Sequence, residues 1–177
     1  MEVPFVFLFP EEEANRGGIG DVGLVLKYLF INSKKSRFFL SGGIEGAFPS
    51  GSRRRELGGV TEIEPFVAMA KSFGRFNLLG SISYSQQLNR FGDEPREVEL
   101  NYNVAAGYIM GNRWAPFLEF NGVNRLRGEE VGNRILLTPG IWFEALEGFS
   151  IIAGLQFPVT KLKDFFWRGL LGIEYEF

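Results

Sequence analysis

The sequence of 177 residues contains no cysteine and no histidine. Without Cys there is no disulfide framework, no thiol nucleophile and no Cys-held zinc or iron–sulfur site. Without His the commonest general base is missing, along with the Ser-His-Asp and Cys-His constellations, which leaves carboxylate, Lys or Tyr chemistry. These losses predict a protein that is not an enzyme, has no catalytic residues and holds no metal or cofactor. Net charge is also scarce. Nineteen Lys and Arg against 21 Asp and Glu give −2 at neutral pH, with no basic footprint for nucleic acid. No run approaches the roughly 18 apolar residues of a membrane-spanning helix. Met1-Glu2 leads straight into Val3-Pro4-Phe5-Val6-Phe7 without the basic start or small-residue cleavage site of an export signal, so any signal is expected to have been removed or to lie outside this sequence.

What is present is two-residue alternation almost from end to end. Val22, Leu24, Leu26, Tyr28 and Phe30 share one face, opposite Gly23, Val25, Lys27 and Leu29. The contrast is sharpest where Val98, Leu100, Tyr102, Val104, Ala106 and Tyr108 oppose Glu99, Asn101, Asn103, Ala105 and Gly107. With the opening strand Val3 to Phe9, the pattern predicts about ten strands in one all-β domain covering 1–177. Each strand has one apolar face and one mixed face of Gly, Ser, Asn and isolated Glu. A transmembrane barrel needs about ten alternating residues per strand, and its mean hydropathy is unremarkable because half of each strand faces the lumen.

The connectors alternate in length. Ser33 to Ser36, Ser72 to Arg75, Gly111 to Arg113 and Leu146 to Gly148 read as tight hairpins. Longer, charged connectors run from Pro10 to Gly20, Pro49 to Thr61, Asn89 to Arg96 and Arg125 to Asn133, with a shorter one from Thr160 to Asp164. This predicts an antiparallel up-and-down barrel with one tight end and one looped end, both termini lying at the tight end. Aromatic residues gather toward both strand ends, as interfacial girdles do. Pro65, Pro116 and Pro139 fall inside strands, where bulges or local ladder defects are expected.

Several stretches resemble a family of bacterial outer-membrane β-barrels labelled transporters, or proteins of the meta-pathway of phenol degradation. They are Glu2 to Phe7, Gly20-Asp21-Val22-Gly23 leading to Leu26-Lys27-Tyr28, and Glu64-Pro65-Phe66-Val67-Ala68. Pro116 to Gly122, Leu137-Thr138-Pro139-Gly140 and the closing Leu171 to Phe177 continue the series. The resemblance implies an outer-membrane location, a lipid bilayer as surroundings, and terminal aromatics Tyr175 and Phe177 that signal to the barrel-assembly machinery. It also implies uptake of hydrophobic or aromatic compounds, and it carries no catalytic residues. Family members usually have further strand material before the segment matching Glu2 to Phe9, which predicts a smaller barrel here.

Gly18-Ile19-Gly20-Asp21-Val22-Gly23 fits a dinucleotide-binding pattern in letters only, because a strand rather than a helix should follow it. Arg53-Arg54-Arg55 reads as a solvated outer loop, with lipopolysaccharide contact as the second reading. Glu11-Glu12-Glu13 reads as a solvated acidic loop, since adjacent carboxylates converge poorly on one cation. Thirteen residues are expected to line the lumen: Lys27, Glu45, Glu64, Glu99, Asn101, Asn103, Glu119, Asn121, Trp142, Glu144, Gln156, Arg168 and Glu174. Paired carboxylates can hydrolyse glycosides, yet in a narrow barrel a network with Lys27, Arg168 and loop arginines is the plainer expectation. Function therefore divides between a narrow channel or transporter-like barrel for small compounds, hydrophobic ones included, and a structural barrel with a plugged lumen. The rival is a soluble barrel binding an apolar ligand, in the manner of a lipocalin. Substrate, pore size and oligomeric state are not encoded in any motif.

Overall fold

The computed structural model describes residues 5–8, 16–52, 58–89, 95–128, 130–161 and 166–175. Glu11 to Glu13, Arg53 to Arg55 and Phe177 lie outside the described residues. Every described element is a strand: β1 (Phe5–Leu8), β2 (Arg16–Ile19), β3 (Val22–Ser33), β4 (Phe38–Phe48), β5 (Glu62–Phe73), β6 (Phe76–Gln87), β7 (Val98–Tyr108), β8 (Trp114–Arg127), β9 (Gly132–Leu146), β10 (Phe149–Pro158) and β11 (Arg168–Tyr175). β3 to β11 form one antiparallel meander in which each strand pairs with its sequence neighbours. The opening strand lies where the alternation puts it, but β1 pairs with β2 in a separate two-stranded ladder.

Turn chemistry explains the tight end. Gly74, Gly111 and Gly148 adopt φ of 64°, 64° and 74°, the left-handed region that closes short hairpins. The first turn places Arg37 there, at φ 48°. In the nine-stranded main sheet the start of β3 lies at the looped end and the end of β11 at the tight end, with β1 and β2 outside this sheet. β3 and β11 flank the sheet and run in the same direction, and no ladder joins them among the described residues. Each has one neighbour, so Tyr28 and Leu171 are 69% and 76% exposed.

The prolines act through gaps rather than bulges. The β5–β6 ladder skips Glu64 and Pro65, the β9–β10 ladder skips Thr138 and Pro139, and the β7–β8 ladder stops at Phe117 beside Pro116. A residue without an N–H leaves the neighbouring strand unpaired at that point. Register shifts occur elsewhere, at Leu29/Ile31, Val98/Glu99 and Phe149/Ser150. The first leaves Phe30 without a ladder partner, yet its ring lies against Gly42 on the apolar face, as the alternation places it.

Burial is inverted relative to a water-soluble protein. Among the described residues the buried polar side chains are Ser41, Ser85, Thr138, Ser150 and Gln156, whereas the buried apolar core consists of Leu136 alone. The face carrying Leu24, Val67, Ile82, Val104, Phe120 and Leu155 is exposed. Rings cover glycines in place of a second layer: Tyr102 lies over Gly122 on the apolar face and Phe117 over Gly140 on the polar face. The apolar face holds one cation at its tight end, Lys71, opposite Phe38 and Leu78.

Candidate functional site on the polar face

Ladder register places side chains on a face without ambiguity, because successive residues alternate. Glu45 lies opposite Glu64, Ser83 opposite Asn101, Asn103 opposite Asn121, and Glu119 opposite Thr138. Trp142 faces Ile152, Glu144 faces Ser150, and Ser150 in turn faces Glu174. Lys27 lies opposite Gly43, Glu99 opposite Arg125 and Gln156 opposite Arg168. All thirteen residues named from alternation therefore share one face.

Side-chain hydrogen bonds hold this face, and three groups of them involve the residues named above. In the middle, the Asn103 side-chain amide donates to Glu119 Oε1 and Asn121 Oδ1. Nearer the looped end, Arg125 Nε donates to Glu99 Oε1 at 2.8 Å, and its Nη1 lies 3.3 Å from Glu97 Oε1. On the far strands, Arg168 Nε donates to Gln156 Oε1 at 2.6 Å while the Gln156 amide donates to Thr138 Oγ1 at 2.9 Å. This last group lies at the ladder gap left by Pro139, so side chains supply polar contacts where backbone pairing lapses.

Arg125, inside the connector expected at 125–133, and Arg134, just after it, are strand residues in the structure. β8 runs on to Arg127 and β9 starts at Gly132, so both arginines belong to strands and point to the polar face, Arg134 from opposite Val123. Lys27 and Arg168 are thus not the only inward cations. No alternation marked the extension, because Val123 falls on the polar face and Asn124 on the apolar face, which breaks the pattern just before Arg125. On β4 to β7 the looped half of this face carries Glu45, Glu62, Glu64 and Glu99, and on β8, β9 and β11 it carries Arg125, Arg134 and Arg168.

Among the described residues, cavities open on the face. One of about 250 Å³ is lined by Glu64, Ser81, Ser83, Asn101, Asn103 and Asn121, groups that hydrogen-bond polar solutes. Another, of about 470 Å³ and nearer the tight turns, is lined by Leu29, Phe39, Ala68, Ala70 and Leu79, with Lys27 and Ser41 at its polar margin. At the looped rim, Asp21 accepts from the backbone N–H groups of Gly51, Gly59 and Val60 at 2.7–3.1 Å, which ties the connector between β4 and β5 to the start of β3. Asp21 and its glycines therefore serve a loop anchor; Val22 begins a strand, and the helix a dinucleotide site requires is absent here.

No family model matches the sequence, and no curated protein matches it. In fold, the chain is similar to OmpTΔL8, the loop L8 deletion mutant of OmpT, an outer membrane protein of Vibrio cholerae, with a TM-score of 0.55 and 13% identity. The similarity covers 98% of this chain and 58% of that one, so this chain spans little more than half the length of the structure it resembles. The fold is that of an antiparallel up-and-down outer-membrane β-barrel. The meta-pathway label gains no support from these comparisons; what stands is the broader likeness to outer-membrane barrels. The expectation that the chain is not an enzyme is corrected by the same likeness. It rested on missing residue types, whereas the chain shares its scaffold with OmpT, and one scaffold hosts unrelated functions, so neither ground excludes catalysis.

Proposed function

We propose that the protein resides in the bacterial outer membrane and that its polar face lines a narrow, water-filled passage for small solutes. The observation that carries this reading is the inverted burial: Gln156, Thr138 and Ser85 are enclosed while Leu26, Val104 and Leu155 are exposed. Hydrocarbon is the solvent in which that arrangement is stable, whereas a lipocalin-like barrel in water would require the opposite.

The thirteen residues set the lumen chemistry, together with Glu62, Arg125 and Arg134. Carboxylates on the polar face, Glu45, Glu62, Glu64, Glu99, Glu119, Glu144 and Glu174, outnumber the cations Lys27, Arg125, Arg134 and Arg168, which favours a weak preference for cations. The apolar cavity beside Phe39 and Leu79 suits solutes with an apolar part, in keeping with the hydrophobic compounds that the family resemblance implies. Barrel-assembly recognition through Tyr175 and Phe177, and lipopolysaccharide contact by Arg53 to Arg55, belong to the same reading.

The test is permeation. The whole chain refolded into phospholipid vesicles should admit small solutes and exclude larger ones, with small conductance steps in planar bilayers. Intact vesicles impermeable to every solute would leave a structural barrel with a plugged lumen. A folded monomer soluble without detergent would overturn the membrane reading itself.

A further inference from the structure

The first three tight turns share a pattern that the lumen reading does not use. Arg37, Arg75 and Arg113 each stand immediately before the aromatic first residue of an outgoing strand, Phe38, Phe76 and Trp114. The backbone carbonyl of each accepts from the next strand or the residue just past its end: Ser72 N at 3.1 Å, Ile109 N at 2.8 Å and Glu144 N at 2.9 Å. Three arginines are thus fixed by their backbones at equivalent points, two strands apart, which is about 10 Å along the rim. Their residues are exposed. Arg37 adopts its left-handed backbone here, and its Nη1 reaches the Gly74 carbonyl at 3.3 Å across the neighbouring turn.

The surroundings add charge and rings. Lys34 and Lys35 occupy the first turn, and Lys71 reaches from the apolar face to the Ser36 carbonyl, lying 5.4 Å from the Phe73 ring centre. Segments 34–37, 71–76 and 109–114 contain no Asp or Glu. Among the described residues none of these six cations is in an ion pair, in contrast to Arg125, which is held by Glu97 and Glu99. Below them on the apolar face are Phe73, Phe76 and Trp114, with Trp114 stacked on Phe143 at 4.1 Å. Guanidinium groups above a ring-lined hydrocarbon boundary match a layer of phosphates. The pattern stops at the fourth turn, where Glu147 and Gly148 precede Phe149.

We infer that the tight-turn rim from β3 to β8 is a docking surface for anionic phospholipid headgroups, with Arg37, Arg75 and Arg113 as its phosphate contacts. The inference rests on the membrane-spanning reading above and is independent of whether the lumen conducts. Phospholipid is the occupant because short turns lie on the periplasmic side of such barrels, away from lipopolysaccharide.

The test is lipid retention by the detergent-solubilised whole chain in native mass spectrometry, offering phosphatidylglycerol, phosphatidylcholine and lipid A separately, with heat-modifiable gel mobility as the check of folding. The unaltered chain should keep phosphatidylglycerol over phosphatidylcholine and lose that preference as salt rises. The triple substitution R37Q/R75Q/R113Q should lower phosphatidylglycerol retention on the order of a hundredfold. R37K/R75K/R113K should retain most of it, and R127Q at the looped end should change nothing. Unchanged retention in the glutamine variant, or stronger retention of lipid A than of phosphatidylglycerol, overturns the rim assignment. Should the glutamine variant fail to fold, salt-insensitive retention by the unaltered chain overturns it equally. A chain that is monodisperse without detergent and keeps no lipid brings down the membrane reading and this inference together.

Discussion

Leu155 and Gln156 are adjacent in β10 and have opposite environments: the leucine is 49% exposed and the glutamine 4%. In a water-soluble protein the order would be reversed. Gln156 is enclosed because both ends of its amide are used, by Arg168 on one side and Thr138 on the other. Leu155 contributes nothing to an interior because, among the described residues, the sheet has no second layer on its side. The pair shows that this sequence is patterned for two solvents, hydrocarbon on one face and a polar, hydrogen-bonding space on the other.

The largest effect should come from placing a charge on the leucine side. Leu155→Arg should cost about 2–4 kcal/mol of folding free energy in lipid, the range for a cation near the bilayer midplane, measured by urea titration of vesicle-inserted protein. Gln156→Arg should cost clearly less, and equal costs would break the contrast between the faces. Next comes Gln156→Leu, which deprives the Thr138 hydroxyl and the Arg168 guanidinium of a partner and should cost about 1–3 kcal/mol in the same titration. A smaller loss, about 1 kcal/mol, is expected for Gly122→Ala, because a Cβ there displaces the Tyr102 ring and strains its 3.1 Å bond to Asn133. Gly74→Ala, at a position that demands φ of 64° but meets no neighbouring atom, should cost about 1 kcal/mol or less through backbone strain alone. The smallest effect should have the opposite sign. Arg37→Gly relieves a left-handed non-glycine residue and should stabilise by about 0.5 kcal/mol, the lost bond to Gly74 offsetting part of the gain.

Much of this contrast is legible in the sequence, for a simple reason. A strand has a period of two, so a residue such as Asn101 or Leu155 is assigned to a face as soon as its strand is recognised. Glycine in the turns at Gly74, Gly111 and Gly148 marks the hairpins in the same direct way. What escaped were features in which composition conceals geometry. Leu29, Phe30 and Ile31 are all apolar, so nothing marks the register shift between Leu29 and Ile31. Arg125 and Arg134 resemble loop residues until their strand partners, Glu99 and Val123, are known. Arg16 to Ile19 contains two glycines and no alternation, so its pairing with Phe5 to Leu8 is invisible locally. The prolines announced disruption, but whether it would be a bulge or a gap depended on the neighbouring strand.

The central claim is that adjacent residues of one strand meet water and hydrocarbon in turn, and the absence of cysteine makes it directly measurable. Single substitutions Leu100→Cys, Asn101→Cys, Tyr102→Cys, Asn103→Cys, Val104→Cys and Ala105→Cys along β7, each refolded in vesicles, can be labelled with a water-borne thiol reagent and, separately, with a fluorophore exposed to lipid-attached quenchers. The account predicts strict alternation, with 101, 103 and 105 reacting from water and 100, 102 and 104 quenched from lipid. Uniform labelling along the strand, or alternation in the opposite phase, would contradict it.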